Sequence, residues 1–248
     1  MDFYKVQPWG QASGLAINIG AGDWECPGWV NLDYPSEHYA PAQAKHKFIP
    51  YDIRNDALPF HDGTVEMIYT SNVIEHIENH HIQRLFDECY RVLTEGGVLR
   101  IVCPDAEHLY QMTKLGKDYW NCRRESFEKM GLSFEAQRAV NCLVGDIAGP
   151  KLLGYGDMQG EDYEDAFHRL SMYDFLDYLT SDIEFDARRV GDHINYWTFQ
   201  KLEEYLKKSG FRSVIRSTYL GSSRYVMQNR RYFDRTGNGI CLYVEVVK

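Results

Sequence analysis

Between residues 18 and 22 the chain reads Asn-Ile-Gly-Ala-Gly, at the end of the short apolar run Gly14 to Ile19. Glycines at positions 20 and 22 let the backbone come close to a ligand that a Cβ would block. Asp33 follows soon after, and a carboxylate there can accept hydrogen bonds from two ribose hydroxyls. The pairing of turn and carboxylate points to a nucleoside. A G-x-G by itself fits an ordinary strand-to-helix turn equally well, and it is Asp33 that shifts the balance. A nicotinamide dinucleotide is disfavoured, because no third glycine follows at G-x-G-x-x-G spacing and the acid stands closer than the usual ~20 residues.

To hold these groups the chain needs strands that end together. Gly14 to Ile19 reads as a buried strand, Trp29 to Leu32 as a second stopping on Asp33, Lys47 to Tyr51 as a third reaching Asp52, and Glu66 to Thr70 as a fourth. From Ser71 the apolar spacing turns helical through Val73, Ile74, Ile77, Ile82, Leu85, Phe86, Cys89, Tyr90 and Val92. Gly96-Gly97 read as the helix stop before a fifth strand, Val98 to Cys103. Strand, helix and strand in this order imply a parallel sheet with right-handed crossovers. Residues 106–192 break the rhythm with helix-like stretches near 107–120, 124–143 and 165–180, so they read as a helical insertion, a substrate cap. Residues 193–248 then resume it with an amphipathic helix from Tyr196 to Lys208, a strand from Phe211 to Tyr219 and a closing strand from Gly239 to Val247.

The chain has 248 residues and a net charge of −9, with 44% hydrophobic and 25% charged residues, which indicates one soluble globular domain with room for an insertion and excludes general disorder. No apolar run approaches the ~20 residues that cross a bilayer, and the start MDFYKVQPWG lacks a charged-then-apolar export signal, so a cytoplasmic protein without stable membrane insertion is expected. Six scattered cysteines without a C-x-x-C pair or a His/Cys cluster at zinc spacing indicate neither a disulfide framework nor a metal. The acidic balance disfavours nucleic acid as a partner.

The run LAINIGAGDWECPGWVNLDYP, then YDIRNDALPFHDGTVEMIYTSNVIEHI, then LFDECYRVLTEGGVLRIVCPD, resembles the S-adenosylmethionine-dependent class I methyltransferases. Among these it looks most like the small methyltransferases of bacterial surface-polysaccharide biosynthesis. The likeness spans residues 14–105 and extends to 193–248 through HINYWTFQKLEEYLKKSGF and CLYVEVVK, leaving the helical middle aside. It implies a Rossmann-like, doubly wound sheet of seven mostly parallel strands, the last antiparallel, with the insertion between strands five and six. The implied cofactor is S-adenosyl-L-methionine, leaving as S-adenosyl-L-homocysteine. By the same resemblance Asn18, Gly20, Ala21 and Gly22 lie against its methionine and ribose, and Asp33 holds the ribose diol. Asp52 approaches the adenine amino group with Ile53 beside the ring, and Ser71, Asn72, Val73, Glu75 and His76 match an S-x-V-x-E-H segment where methionine and acceptor meet. Asn18 departs from the wider superfamily, where Asp or Glu is common at the end of strand one.

The resemblance further implies O-methylation of a sugar or sugar-linked group, a phosphate derivative included, in capsule or lipopolysaccharide assembly. The acceptor is then a small molecule or glycan, with a nucleotide sugar among the candidates. Methylation of a small metabolite or an amine is the alternative, as is a non-catalytic cofactor-binding partner subunit. A sulfonium methyl is already activated, so the enzyme aligns the acceptor, excludes water and, for a hydroxyl, removes a proton. His76, His193 and Asp105 are the leading candidates for that base, with His108 and His168 behind them. Each also has a structural reading: a loop-bonded histidine for His76, a turn residue for His193, a helix cap for Asp105, and an amide anchor for Glu75. The insertion's aromatics, Tyr110, Tyr119, Trp120, Tyr155, Tyr163, Phe167, Tyr173 and Phe175, read mainly as a helical core, with those in 150–165 as pocket candidates. Arg230, Arg231 and Arg235 fit either a phosphate site or a solvated loop.

Overall fold

In a computed structural model, residues 14–129, 131, 133–153, 161–235 and 239–248 are described. Seven strands run in chain order as β1 (Leu15–Ile19), β2 (Trp29–Asp33), β3 (Ile49–Pro50), β4 (Val65–Ser71), β5 (Leu93–Pro104), β6 (Ser213–Arg216) and β7 (Cys241–Val247). They form one sheet in the order β3-β2-β1-β4-β5-β7-β6. The pairs from β3 to β5 are parallel, while β7 is antiparallel to both β5 and β6. Seven mostly parallel strands with one antiparallel is the arrangement that the sequence resemblance implies. The helices are α1 (Ala40–Gln43), α2 (Asn79–Val92), α3 (Ala106–Lys114), α4 (Arg124–Lys129), α5 (Ala139–Ile147), α6 (Gly149–Leu153), α7 (Glu161–Arg169), α8 (Met172–Thr180) and α9 (Phe199–Lys208).

One face of the sheet carries Ile17, Ile19, Leu32, Ile68, Leu99, Ile101 and Val244. Against it pack Ile82, Leu85, Phe86, Cys89 and Val92 of α2, at the three- and four-residue spacing that gives a helix one apolar stripe, together with Leu202 and Leu206 of α9. The other face, with Ala16, Met67, Tyr69, Val98, Val102 and Tyr243, has no α-helix in its apolar layer among the described residues. Trp24, Cys26, Met227 and Phe233 cover it instead, so the expected double winding is replaced on this side by irregular chain. Arg100 of β5 holds that chain down. Fully buried, it donates to both carboxylate oxygens of Asp234 at 2.5 and 3.2 Å, to Ser217 Oγ at 3.2 Å and to the carbonyl of Thr218 at 2.9 Å. Asp234 also accepts from the amide of Leu220, and its own amide donates to the Tyr69 hydroxyl.

Several boundaries differ from the pattern in the sequence. The stretch after β4 is a 3₁₀ turn, Ile74–His76, followed by α2, because Asn72 at φ 55° turns the chain out of the strand. Gly96-Gly97 lie inside β5, which pairs with β4 through Leu93 and again from Val98, so α2 stops at Val92 rather than at the glycines. The predicted helix 124–143 is split, since Phe127 and Phe134 pack edge to face and fold the chain back between α4 and α5. The helix expected from Tyr196 begins at Phe199: Trp197 bridges to Asp105 in extended form, and Thr198 caps the helix through Lys201 N. In the insertion Tyr110, Trp120, Tyr163, Phe167 and Phe175 are core, whereas Tyr155 lies outside the described residues.

Removing one partner of a buried ion pair leaves an uncompensated charge, which costs roughly 3–5 kcal/mol. Asp234→Asn is therefore expected to lower the unfolding free energy by up to that amount in urea titration, with the buried Glu245 carboxylate, 3.7 Å from Arg100, offsetting part of the loss. A loss below ~1 kcal/mol contradicts the anchoring role.

Candidate functional site

The carboxyl ends of β1, β2 and β4 open into a cavity of about 470 Å³, within the size range of cofactor sites. Its floor is the turn after β1. Gly20 N donates to Leu32 O at 2.9 Å and Gly22 N to Asp33 Oδ2 at 2.9 Å, which ties the turn to the end of β2. The two glycines serve different purposes. A Cβ on Gly20, at φ 74°, meets Val73 Cγ2 at 2.2 Å, so this glycine makes room for a protein side chain. A Cβ on Gly22, at φ 54°, finds nothing within 4 Å, so it is at Gly22 that the backbone lies bare to the cavity. Asn18, Ala21, Ser71, Asn72 and Val73 line the same cavity.

Asp33 is buried at the β2 end. Its Oδ2 accepts from Gly22 N and Gln43 Nε2 and its Oδ1 from Tyr34 N, so three of about four lone-pair directions are in use. One direction on Oδ1 is left for a ribose hydroxyl, where the sequence suggested two. Asp52 is held by Arg54 in a two-pronged pair, Nε to Oδ1 and Nη2 to Oδ2 both at 2.9 Å, and by Asn55. Burial pushes its carboxyl up, but those hydrogen bonds outweigh it and hold Asp52 below the usual carboxylate range. Arg54 in turn lies 3.6 Å over the Phe185 ring and 5.1 Å from that of Tyr34. Asp52, Ile53, Arg54, Tyr34 and Phe185 thereby make one wall, with Ile53 as its apolar strip.

At the other end of the cavity stands His76, on the 3₁₀ turn. The backbone carbonyl of Glu75 accepts from the amides of Ile194 and Asn195, and Trp197 Nε1 donates to Ile74 O, so residues 194–197 are fastened along the turn. This brings His193 beside His76, ring centroids 4.8 Å apart and edge to face. His76 Nδ1 lies 2.8 Å from the carbonyl of Asp192, and His193 Nδ1 lies 2.6 Å from that of Asp146. A carbonyl only accepts, so each Nδ1 carries the proton and each neutral ring keeps a lone pair on Nε2. Burial, with His193 adding to it, holds His76 down to about 3, and burial holds His193 down to about 4. The Glu75 side chain is 1% exposed, neither oxygen has a hydrogen-bond partner, and burial pushes its carboxyl up to about 8.

Not every candidate reaches the cavity. Asp105 caps α3 through His108 N and pairs with Arg216 at 2.6 Å, so its carboxylate is engaged away from the cavity lining. Glu75 and His193 sit behind His76 rather than in the lining. His168 is exposed and faces Glu164, and His108 stacks edge-on against Tyr119. Of the three arginines near the C-terminus, Arg235 lines the cavity with Tyr232. Tyr34, Arg54, Phe185, Val190 and Tyr232 were not singled out in the sequence, because they come from loops with no periodic signal. Arg54 was closest to legible, two residues beyond Asp52.

Open space over Gly22, an unfilled Asp33 lone pair and an apolar strip beside an acid could hold an adenine nucleoside.

Residues 30–101 match a family described as a methyltransferase domain. The chain is also similar in structure to a methyltransferase of Thermotoga maritima described as a possible histamine N-methyltransferase, with 14% identity, 96% of this chain and 84% of that one covered, and a TM-score of 0.43. For an S-adenosylmethionine-dependent methyltransferase of Mesorhizobium loti the figures are 15%, 95%, 91% and 0.47, and for one of Archaeoglobus fulgidus 11%, 97%, 89% and 0.45. No curated protein matches in sequence. Among the described residues no helix is long and apolar enough to cross a membrane. Residues 30–101 are thus similar to a methyltransferase domain.

Proposed function

We propose that the chain methylates a hydroxyl oxygen of a sugar or sugar-linked acceptor. The observation that carries this reading is His76 at the cavity, a neutral histidine whose Nε2 lone pair is fixed by a carbonyl on Nδ1, with His193 packed edge to face behind it. Such a site accepts hydrogen bonds and donates none, which suits a hydroxyl that must lose its proton. In this assignment Gly22 and the Asp33 carboxylate hold the ribose, Ile53 and the Asp52–Arg54 pair flank the adenine, and Ser71, Asn72 and Val73 hold the methionine end. S-adenosylmethionine supplies a methyl on a sulfonium sulfur; the acceptor oxygen takes the methyl, the carbon–sulfur bond electrons return to sulfur, and the hydroxyl proton leaves toward the histidine end. The protein aligns the acceptor, keeps water out and receives that proton. Arg235, exposed at the cavity rim, suits a phosphate on a nucleotide-sugar acceptor. The setting in capsule or lipopolysaccharide assembly rests on the sequence resemblance alone, as does the role of residues 106–192 as a cap.

Two substitutions separate binding from turnover. Asp33→Ala is expected to weaken S-adenosylhomocysteine binding by about 1–3 kcal/mol, since it leaves a ribose hydroxyl and the Gly22 amide unpaired; unchanged affinity in calorimetric titration removes the ribose assignment. His76→Ala is expected to slow labelled methyl transfer to glycan or nucleotide-sugar hydroxyls, by less than the ~10²–10⁴-fold of a base poised near neutrality because burial holds His76 down to about 3, with cofactor affinity within a few-fold. Transfer to amines in preference to hydroxyls, or full activity without His76, contradicts the proposal.

A further inference from the structure

Glu75, His76 and His193 each offer one ligand atom, and these atoms lie within 4.8 Å of one another. His193 Nε2 and Glu75 Oε1 are 4.0 Å apart. All three groups present lone pairs: the two Nε2 atoms because Nδ1 is committed to a carbonyl, and the carboxylate because both of its buried oxygens lack a donor. A buried acceptor without a donor is costly, on the order of 1–3 kcal/mol or more. Three converging acceptors leave a position that a positive centre satisfies. We infer that Glu75, His76 and His193 bind a divalent transition-metal cation of the zinc type.

The surroundings match what such a site requires. Metal-binding histidines donate their second ring N–H to a carbonyl or carboxylate, which fixes tautomer and orientation; the Asp192 and Asp146 carbonyls do this here. Two imidazoles and one carboxylate suit zinc, manganese, cobalt or iron(II) better than magnesium or calcium, which prefer oxygen throughout. Ligand bonds of ~2.0–2.2 Å require the three atoms to close inward by about an ångström. His76 lines the cavity, so coordination positions beyond the three protein ligands face it. The ligands were invisible to a search by spacing because His193 lies far from His76 in sequence and is brought alongside by the clasp of residues 194–197 on the 3₁₀ turn. If the acceptor is a hydroxyl, a step that rests on the proposed function, a cation held here would lower that oxygen's pKa so that its proton passes to solvent, and the histidines would serve as ligands in place of proton acceptors. The metal site itself does not depend on that step.

The test is equilibrium dialysis of chelator-treated full-length protein against Zn²⁺, with Co²⁺ absorption as a second readout, for wild type, Glu75→Gln and His193→Gln, and with S-adenosylhomocysteine affinity measured on each. The expected result is one equivalent of Zn²⁺ and a Co²⁺ visible spectrum in wild type, with affinity down at least about tenfold in each variant while S-adenosylhomocysteine binding changes less than threefold. Absence of stoichiometric binding in wild type, or variants that bind Zn²⁺ as wild type does, overturns the inference. If a variant does not fold, imidazole ¹⁵N NMR of wild type decides: Zn²⁺ must shift Nε2 of His76 and His193, and shifts confined to other histidines overturn it. Loss of S-adenosylhomocysteine binding by wild type is the separate failure of the methyltransferase reading.

Discussion

The parallel pairing of β1 with β2 on one side and β4 on the other is the constraint on which the site depends. Ile19 is in register with Leu32 and with Thr70, so three strands finish at one level. Parallel strands hand all their carboxyl ends to the same edge, and that edge is where open α/β sheets bind ligands. The glycine turn, Asp33 and the Ser71–Val73 segment meet there although the last is far from the other two in sequence. Val73 fills the space that Gly20 leaves, so the β1 turn and the β4 exit are fitted to each other as well as to a ligand.

What could be read from the sequence follows from how local each signal is. The strands of the parallel sheet show as short apolar runs ending on polar residues, and α2 shows as a three- and four-residue repeat, because burial on one face imposes those periods. The nucleoside side of the cavity is similarly local: its glycines and Asp33 sit directly at strand ends. The far end is different. Asp105 and His76 look alike in sequence, each a polar residue just past a strand, yet one is drawn into a helix cap and a pair with Arg216 while the other remains at the cavity. Long-range partners decide such cases, and neither Arg216 nor the Asp192 carbonyl announces itself from a distance. The absence of a helical layer behind β1, β4 and β5 among the described residues was hidden for the same reason, since the Arg100 and Asp234 that hold its substitute lie 134 residues apart.

The two buried charged centres solve the cost of burial in opposite ways. Around Arg100, Asp234 supplies countercharge, Ser217 and Thr218 take the remaining donors, and the network is closed. Around Glu75 neither side-chain oxygen has a hydrogen-bond partner. A closed network belongs to architecture, whereas an open one beside a cavity belongs to chemistry.

The walls of the cavity differ in how they are fastened, and this makes the site uneven toward its medium. Arg54 and Asp52 are each about a fifth exposed, so dissolved ions screen their attraction over a Debye length of ~8–10 Å. Arg100 and Asp234 are fully enclosed, and the chain they pin carries Tyr232 and Arg235 to the opposite rim. Concentrated electrolyte therefore weakens the Asp52–Arg54 wall before the other, giving the cavity one compliant side and one stiff side.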